Sequence, residues 1–195
     1  MRQTSLRSIL LLIILGLLGL MVLLAIYFQL DARLGQVEDR VSKLPPKAYT
    51  APDLKTLTVN DVPKDLGPSQ TTYVPAYSHI YFNKGRPLSL EVTLSIRNTD
   101  PNYSLFLSSV RYYDTNGELK RTFLDQFIRL APLQTLEFLV EREDSTGGSG
   151  ANFLVEWKSG QKVAPPWIEA VMVGVNGSQA ISFARPGVVL SQASK

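Results

Sequence analysis

Ile9 to Phe28 reads ILLLIILGLLGLMVLLAIYF, twenty positions without a charge. At a rise of about 1.5 Å per residue such a run spans roughly 30 Å, the thickness of a bilayer's hydrocarbon. It is longer than the apolar region of a cleaved secretory signal, and Ala25 is followed by Ile26, Tyr27 and Phe28, poor neighbours for a cleavage site. The pattern predicts an uncleaved transmembrane helix over residues 9–29 after a cytoplasmic tail at 1–8, with Tyr27 and Phe28 at the outer interface. Beyond it Leu30, Leu34, Val37, Val41 and Leu44 step by 4, 3, 4 and 3 with charged residues between them. That is a two-heptad seam, predicting a stalk at 30–44 that is either a coiled coil pairing copies of the chain or a single amphipathic helix. Pro45 and Pro46 stop it, and prolines 52, 63 and 68 mark residues 45–70 as a semi-rigid linker in which TLTVNDV could pair as a short edge strand.

From Thr71 the period changes to two. In LSLEVTLSIR, Leu88, Leu90, Val92, Leu94 and Ile96 alternate with polar residues, and the same alternation returns at Leu136, Phe138 and Val140 and at Phe153, Val155 and Trp157. Each is the pattern of a strand with one dry and one wet face. WIEAVMVGV is apolar on both faces and suits a central strand. Turn residues divide the region at Asp100-Pro101, Asn116-Gly117, Gly147 to Gly150, Ser159-Gly160 and Asn176-Gly177. Around eight short strands over residues 71–190 predict an all-β fold, an immunoglobulin-like β-sandwich preceded by a single N-terminal transmembrane helix with a short helical stalk. Trp157 is a candidate filler of the core, and residues 191–195 read as a disordered tail.

Composition narrows the chemistry. Among 195 residues there is no cysteine and one histidine, so disulfides, thiolate metal sites and cysteine nucleophiles are excluded and there is little material for zinc or copper. A net charge of +3 is too small and dispersed to grip nucleic acid. No serine-nucleophile motif is present, so no catalytic residue, metal or cofactor is assigned, and a non-enzymatic role is expected. Basic residues flank the apolar run on both sides, Arg2 and Arg7 before it and Arg33, Arg40, Lys43 and Lys47 after it. Counting them alone does not set orientation, but an anchor at the extreme N-terminus ordinarily exports the chain beyond it.

Two binding surfaces suggest themselves. If Ser78, Ile80 and Phe82 face the core, then Tyr77, His79 and Tyr81, joined by Tyr112 or Tyr113, make an aromatic face suited to a carbohydrate or a protein loop. The competing reading has these rings covered by the returning linker or placed inside the sandwich with their hydroxyls bonded to backbone. The glycine-rich loop Asp144, Gly147, Gly148, Ser149 and Asn152 could present N–H groups and side chains to a small polar ligand, although it lacks the lysine and helix of a phosphate loop. It reads better as a flexible hairpin end in which glycines supply positive φ. Asp114 to Glu118 faintly echoes a calcium loop closed by Asp125, but reads better as a β-turn.

The stretches YVPAYSHIYF (73–82), LSIRNTD (94–100), YYDTNGEL (112–119), RLAPLQT (129–135) and GGSGANFLVEW (147–157) resemble the bacterial family known as domain of unknown function 3124, over about residues 70–190. The resemblance implies an exported or membrane-attached bacterial protein of unestablished activity. Many relatives resemble lipoproteins, and in this cysteine-free chain the transmembrane helix takes the place of the lipid. The expected location is the bacterial cytoplasmic membrane, single-pass, with the C-terminal domain in the periplasm. The expected partners are the bilayer through residues 9–29, further copies through 30–44, and an envelope protein or carbohydrate.

Overall fold

The computed structural model describes residues 6–42, 48–59, 61–63, 65–67 and 69–190. The chain divides into two units, Met1–Tyr49 and Thr50–Lys195. The first holds, among the described residues, one unbroken helix, α1 (Leu6–Ser42), so the apolar run and the stalk as far as Ser42 share a single rod. Every side chain from Ile9 to Asp31 is exposed, which leaves bare a segment, Ile9–Asp31, long and apolar enough to cross a membrane. A helix apolar on all sides has no stable place in water. Leu30, Leu34, Val37 and Val41 of the seam lie on this helix, while Leu44, Pro45 and Pro46 lie outside the described residues.

The second unit begins with the segment expected to be a spacer, and that segment is largely docked. Asp53 caps a single turn, α2 (Leu54–Leu57), by accepting the Lys55 N–H at 3.1 Å. Leu54 and Leu57 pack against the core. Thr58 bridges Ile128, the Val59 N–H donates to the Phe127 carbonyl at 3.1 Å, and that of Gly67 to the Ser159 carbonyl at 2.9 Å. Leu54, Leu57 and Val59, few as they are, give this proline-spaced stretch an apolar side to lay down.

Two antiparallel sheets face each other. One is built of β12 (Val188–Leu190), β1 (Gln70–Pro75), β9 (Asn152–Lys158), β5 (Leu105–Tyr113) and β6 (Leu119–Leu124) in that order, with β7 (Ile128–Leu130) pairing the first part of β5. The other runs β11 (Gln179–Pro186), β10 (Trp167–Asn176), β4 (Glu91–Arg97) and β8 (Thr135–Val140). A separate hairpin pairs β2 (His79–Phe82) with β3 (Arg86–Ser89). The fold is the predicted all-β sandwich after an apolar helix, divided more finely than eight strands because predicted runs are cut. LSLEVTLSIR breaks at Leu90, whose N–H donates to the Ser78 carbonyl at 2.8 Å, so Leu88 goes to the hairpin and Val92 to the sheet.

Alternation fills the interior. Val92, Leu94 and Ile96 meet Leu105, Leu107, Val110 and Phe153 among fully buried side chains. Trp157 is buried as expected and donates its indole N–H to Thr72 Oγ1 at 3.3 Å. Phe123 stands between Phe138 and Phe153, at ring separations of 5.3 and 6.0 Å. β10 is central, as predicted, but only Ile168, Ala170, Met172 and Gly174 are covered, whereas Trp167, Val173 and Val175 stand exposed on its outer face.

Candidate functional site

Strand register defines two ends. At the linker end β1 begins and β9 finishes, Gln70 opposite Trp157, and β10 begins opposite the end of β4, Trp167 opposite Arg97. At the far end Pro75 meets Asn152, and β10 turns into β11 between Asn176 and Gln179.

The linker end is closed by one polar side chain and its neighbour. Asn98, buried, donates from its amide to the carbonyls of Tyr103, Leu130 and Ala131 at 2.8, 3.2 and 2.9 Å, and its Oδ1 accepts the Asp100 N–H at 3.1 Å. Asp100 accepts N–H groups from Asn102, Tyr103 and Ala164, which hold its carboxyl below the ordinary carboxylate range. Three segments distant in sequence, 98–103, 130–131 and the one that holds Ala164, are thereby fastened. Two clefts of about 460 and 410 Å³, each with charged residues in a mixed lining, lie here and share Gly160 and Gln161. Asp65 and Lys162 line one, and Asp61, Tyr103 and Arg129 the other.

The far end holds both predicted surfaces. The glycine-rich loop is pressed onto its neighbours. Gly147 and Gly148 give their carbonyls to the N–H groups of Thr115 and Ser78 at 2.9 and 3.0 Å, and the Gly150 N–H donates to Thr115 Oγ1 at 2.9 Å. A Cβ on Gly147 would land on the Tyr112 hydroxyl and 2.7 Å from the Cβ of Ala151, so glycine is required there by close approach. Asp144 accepts the Thr146 N–H at 3.0 Å, Ser149 is half-buried in a 3-10 turn, and Asn152 belongs to β9. This arrangement has the character of a tied hairpin end more than that of an open anion cradle. Asp114 accepts the N–H groups of Asn116 and Glu118 at 2.8 and 2.9 Å and meets Lys120 Nζ at 2.9 Å, a braced β-turn, while Asp125 is exposed on the far side of β6.

The aromatic face is divided. His79 and Tyr81 sit edge-on with ring centroids 5.0 Å apart on β2, whereas Tyr77 precedes that strand, is half-buried, and lies 6.0 Å from Phe183 of β11. Tyr113 sits at the end of β5 on the side opposite Tyr112 and pairs with Asn152 and Leu119. Tyr112 is fully buried, 4.8 Å from the Phe153 ring, with its hydroxyl 2.9 Å from that of Ser78. Burial pushes its phenol up, against the opposing Ser78 hydrogen bond.

Of the residues expected inward, Ser78 is buried but Ile80 and Phe82 are not enclosed. With Leu88 they line one wall of a groove of about 540 Å³, and Ile181, Ala180, Asn176 and Gln179 line the other. The tight loop Asn83, Lys84 and Gly85, all at positive φ, makes β2 and β3 a short free-standing hairpin whose tip no sheet covers. That Asn-Lys-Gly triplet was the sequence signal for the groove. On the opposite wall Ile181 pairs with Gly174, on the inward side of β10, where a Cβ would come within 2.5 Å of Leu90.

Residues 69–190 match the family described as a protein of unknown function, DUF3124, and the chain belongs to that family. No curated protein matches it significantly. Among solved structures it is similar to the crystal structure of Thermotoga maritima 1070, at 10% identity and a TM-score of 0.36 over 61% of this chain and 92% of that one.

Proposed function

We propose that this protein is a membrane-tethered binding module of the bacterial envelope. Residues 9–29 anchor it in the cytoplasmic membrane, the sandwich stands in the periplasm, and the far end engages an envelope partner. The groove between the β2–β3 hairpin and β11 carries the reading: it is an opening at the end of the sandwich with no charged residue in its lining, walled by Ile80, Phe82, Leu88 and Ile181. The helix supports the tether, since its bare apolar surface needs lipid. Leu30, Leu34, Val37, Val41 and Leu44 would pair two or three copies above the bilayer, and charged residues at 34 and 41 would then shift sedimentation to the monomer. The competing small-ligand receptor or enzyme built on the glycine-rich loop with Tyr77, His79 and Tyr81 draws less support, because Thr115 and Ser78 engage that loop's backbone and Tyr77 lies apart from the His79–Tyr81 pair.

The test is a photo-crosslinking amino acid placed in living cells at Phe82, Ile181 or Lys120. Adducts of one discrete mass at 82 and 181 but not at 120 support the groove. Equal adducts at all three, or none, overturn it. A C-terminal alkaline phosphatase fusion that is inactive would overturn the periplasmic placement.

A further inference from the structure

The four sheet edges are not treated alike. On one side of the sandwich β6 carries Lys120 and Arg121, and its pairing with β5 is interrupted by two register shifts. β8 on that side carries Glu137 and runs straight into Glu141, Arg142 and Glu143. Charge and bulging are the devices that keep a strand edge from taking another strand. On the other side β11 presents Gln179 to Ala184 with no charge and no proline, nearly all exposed, and among the described residues it pairs with β10 alone. The short β12 beside it, Val188–Leu190, is also uncharged and exposed.

The open edge and the groove are continuous. Ile181 belongs to both: it stands in the exposed half of β11, 41% accessible, and it lines the groove opposite Ile80, Phe82 and Leu88. An edge strand offers a row of alternating N–H and C=O groups, and the chemistry that satisfies such a row is another polypeptide backbone. A neighbouring apolar groove adds a socket for one side chain of that strand.

We propose that β11 takes an extended, uncharged peptide segment by strand addition, with one aliphatic or aromatic side chain of the peptide seated between Ile181 and Phe82. This rests on the reading of the groove as the binding site and names the class of partner. A second copy of the chain fits less well. Antiparallel self-pairing of β11 sets the groove-lining half of one strand against Ala184, Arg185 and Pro186 of the other, which supply a methyl, a charge and a residue with no N–H.

The test selects a displayed library of random nine-residue peptides on the full-length chain in lipid nanodiscs, with empty nanodiscs as the counter-selection. The best peptide is then measured by fluorescence anisotropy. Expected are alternating β-branched sequences with one large apolar residue and few charges. Ile181→Asp should weaken binding by about tenfold or more, Phe82→Ala by roughly five- to tenfold, and Arg121→Ala not at all. N-methylation of alternate peptide nitrogens should abolish binding, because it removes donors that pair with the edge. Binding that survives N-methylation yet is lost with Ile181→Asp overturns strand addition while leaving the groove as a site. Binding untouched by either groove substitution overturns both. A library with no enrichment, or a dimer that Ile181→Asp dissociates and no peptide displaces, overturns the peptide as the occupant.

Discussion

The two ends of the sandwich close their loops with different chemistry. At the linker end one buried amide, Asn98, satisfies three carbonyls, two of them from a distant segment, and Asp100 gathers three N–H groups without a cation. At the far end the closure is a chain of hydroxyls and close contacts, from Tyr112 to Ser78 and from Thr115 to the glycine loop, and its aspartate, Asp114, leans on Lys120. The first depends on hydrogen bonds between backbone groups and one amide and one carboxylate. The second depends on tight packing and a partly exposed ion pair, and it is there that the groove stands open. The end where the chain enters is held by one amide and one carboxylate set among backbone groups, while the end held by hydroxyls and close contacts has a hairpin standing free beside it.

The largest effect should come from Asn98→Ala. It strands the buried carbonyl of Leu130, the partly buried ones of Tyr103 and Ala131 and the Asp100 N–H, a loss of about 3 kcal/mol. Thermal unfolding of the full chain in detergent, followed by tryptophan emission, should show the midpoint lowered by roughly 10 °C. Trp157 and Trp167 both lie at the linker end, so the probe reports where the damage falls. A midpoint within a degree or two of the parent would mean that Asn98 does not fasten the linker end. Next is Gly147→Ala, which drives a methyl against Tyr112 and should cost about 1–3 kcal/mol. Combined with Tyr112→Phe, which deletes the hydroxyl the methyl would strike, the two losses should sum to more than the double variant shows. Strict additivity would mean that the loop and the phenol do not press on each other.

Acid and alkali should separate the ends. Asp100 and Asp114 are both held below the ordinary carboxylate range, the first by the N–H groups of Asn102, Tyr103 and Ala164, the second by Lys120 ahead of the N–H groups of Glu118 and Asn116. Their stabilisation is complete above the unfolded value of about 3.9 and is lost as pH falls through the depressed folded values, so acid loosens both ends. Burial raises Tyr112, and the carboxylates of Glu118 and Asp114 raise Lys120. Stability from a raised group is whole below its unfolded value, about 10 for either, and is lost as pH rises through the folded one. Of these four groups only the two at the far end respond to alkali. Melting temperature measured upward from about pH 9 should fall less steeply in Tyr112→Phe than in the parent, and an identical slope would contradict the assignment.

How much the sequence disclosed depends on the range of the interactions involved. The twenty-residue apolar run and the period-two alternation are local signals: the first became helix, and the second became a strand over Glu91–Arg97, the larger part of residues 88–97. The break at Leu90 was not legible, because it depends on the carbonyl of Ser78 reaching across the chain. Asn98 and Asp100 lie inside the LSIRNTD stretch without standing out, since an amide does not show in sequence that its partners are residues 103, 130 and 131. The aromatic stripe was read from alternation, which places His79 and Tyr81 together but takes no account of Tyr77 preceding the strand. The groove needs the positions of two hairpins about a hundred residues apart in sequence, and only the Asn83-Lys84-Gly85 turn hinted that one of them stands free.

The smallest expected effect sharpens the contrast between the two aspartates. Asp114 owes part of its depression to the ammonium of Lys120, which is partly exposed and shared with Glu118 at 2.8 Å, whereas Asp100 owes its own to backbone dipoles. Ion pairs in contact with solvent are screened as the Debye length shrinks from about 10 Å at 0.1 M salt to about 3 Å at 1 M, and backbone N–H groups at hydrogen-bond distance are not. Raising salt should therefore move the titration of Asp114 toward ordinary carboxylate behaviour and leave that of Asp100 in place. Carboxyl carbon shifts in NMR titrations of the two side chains at low and high salt read this directly, with Lys120→Met as the control that brings Asp114 up at either salt concentration. If both aspartates move equally with salt, the ends of the sandwich do not differ in the way their hydrogen bonds indicate.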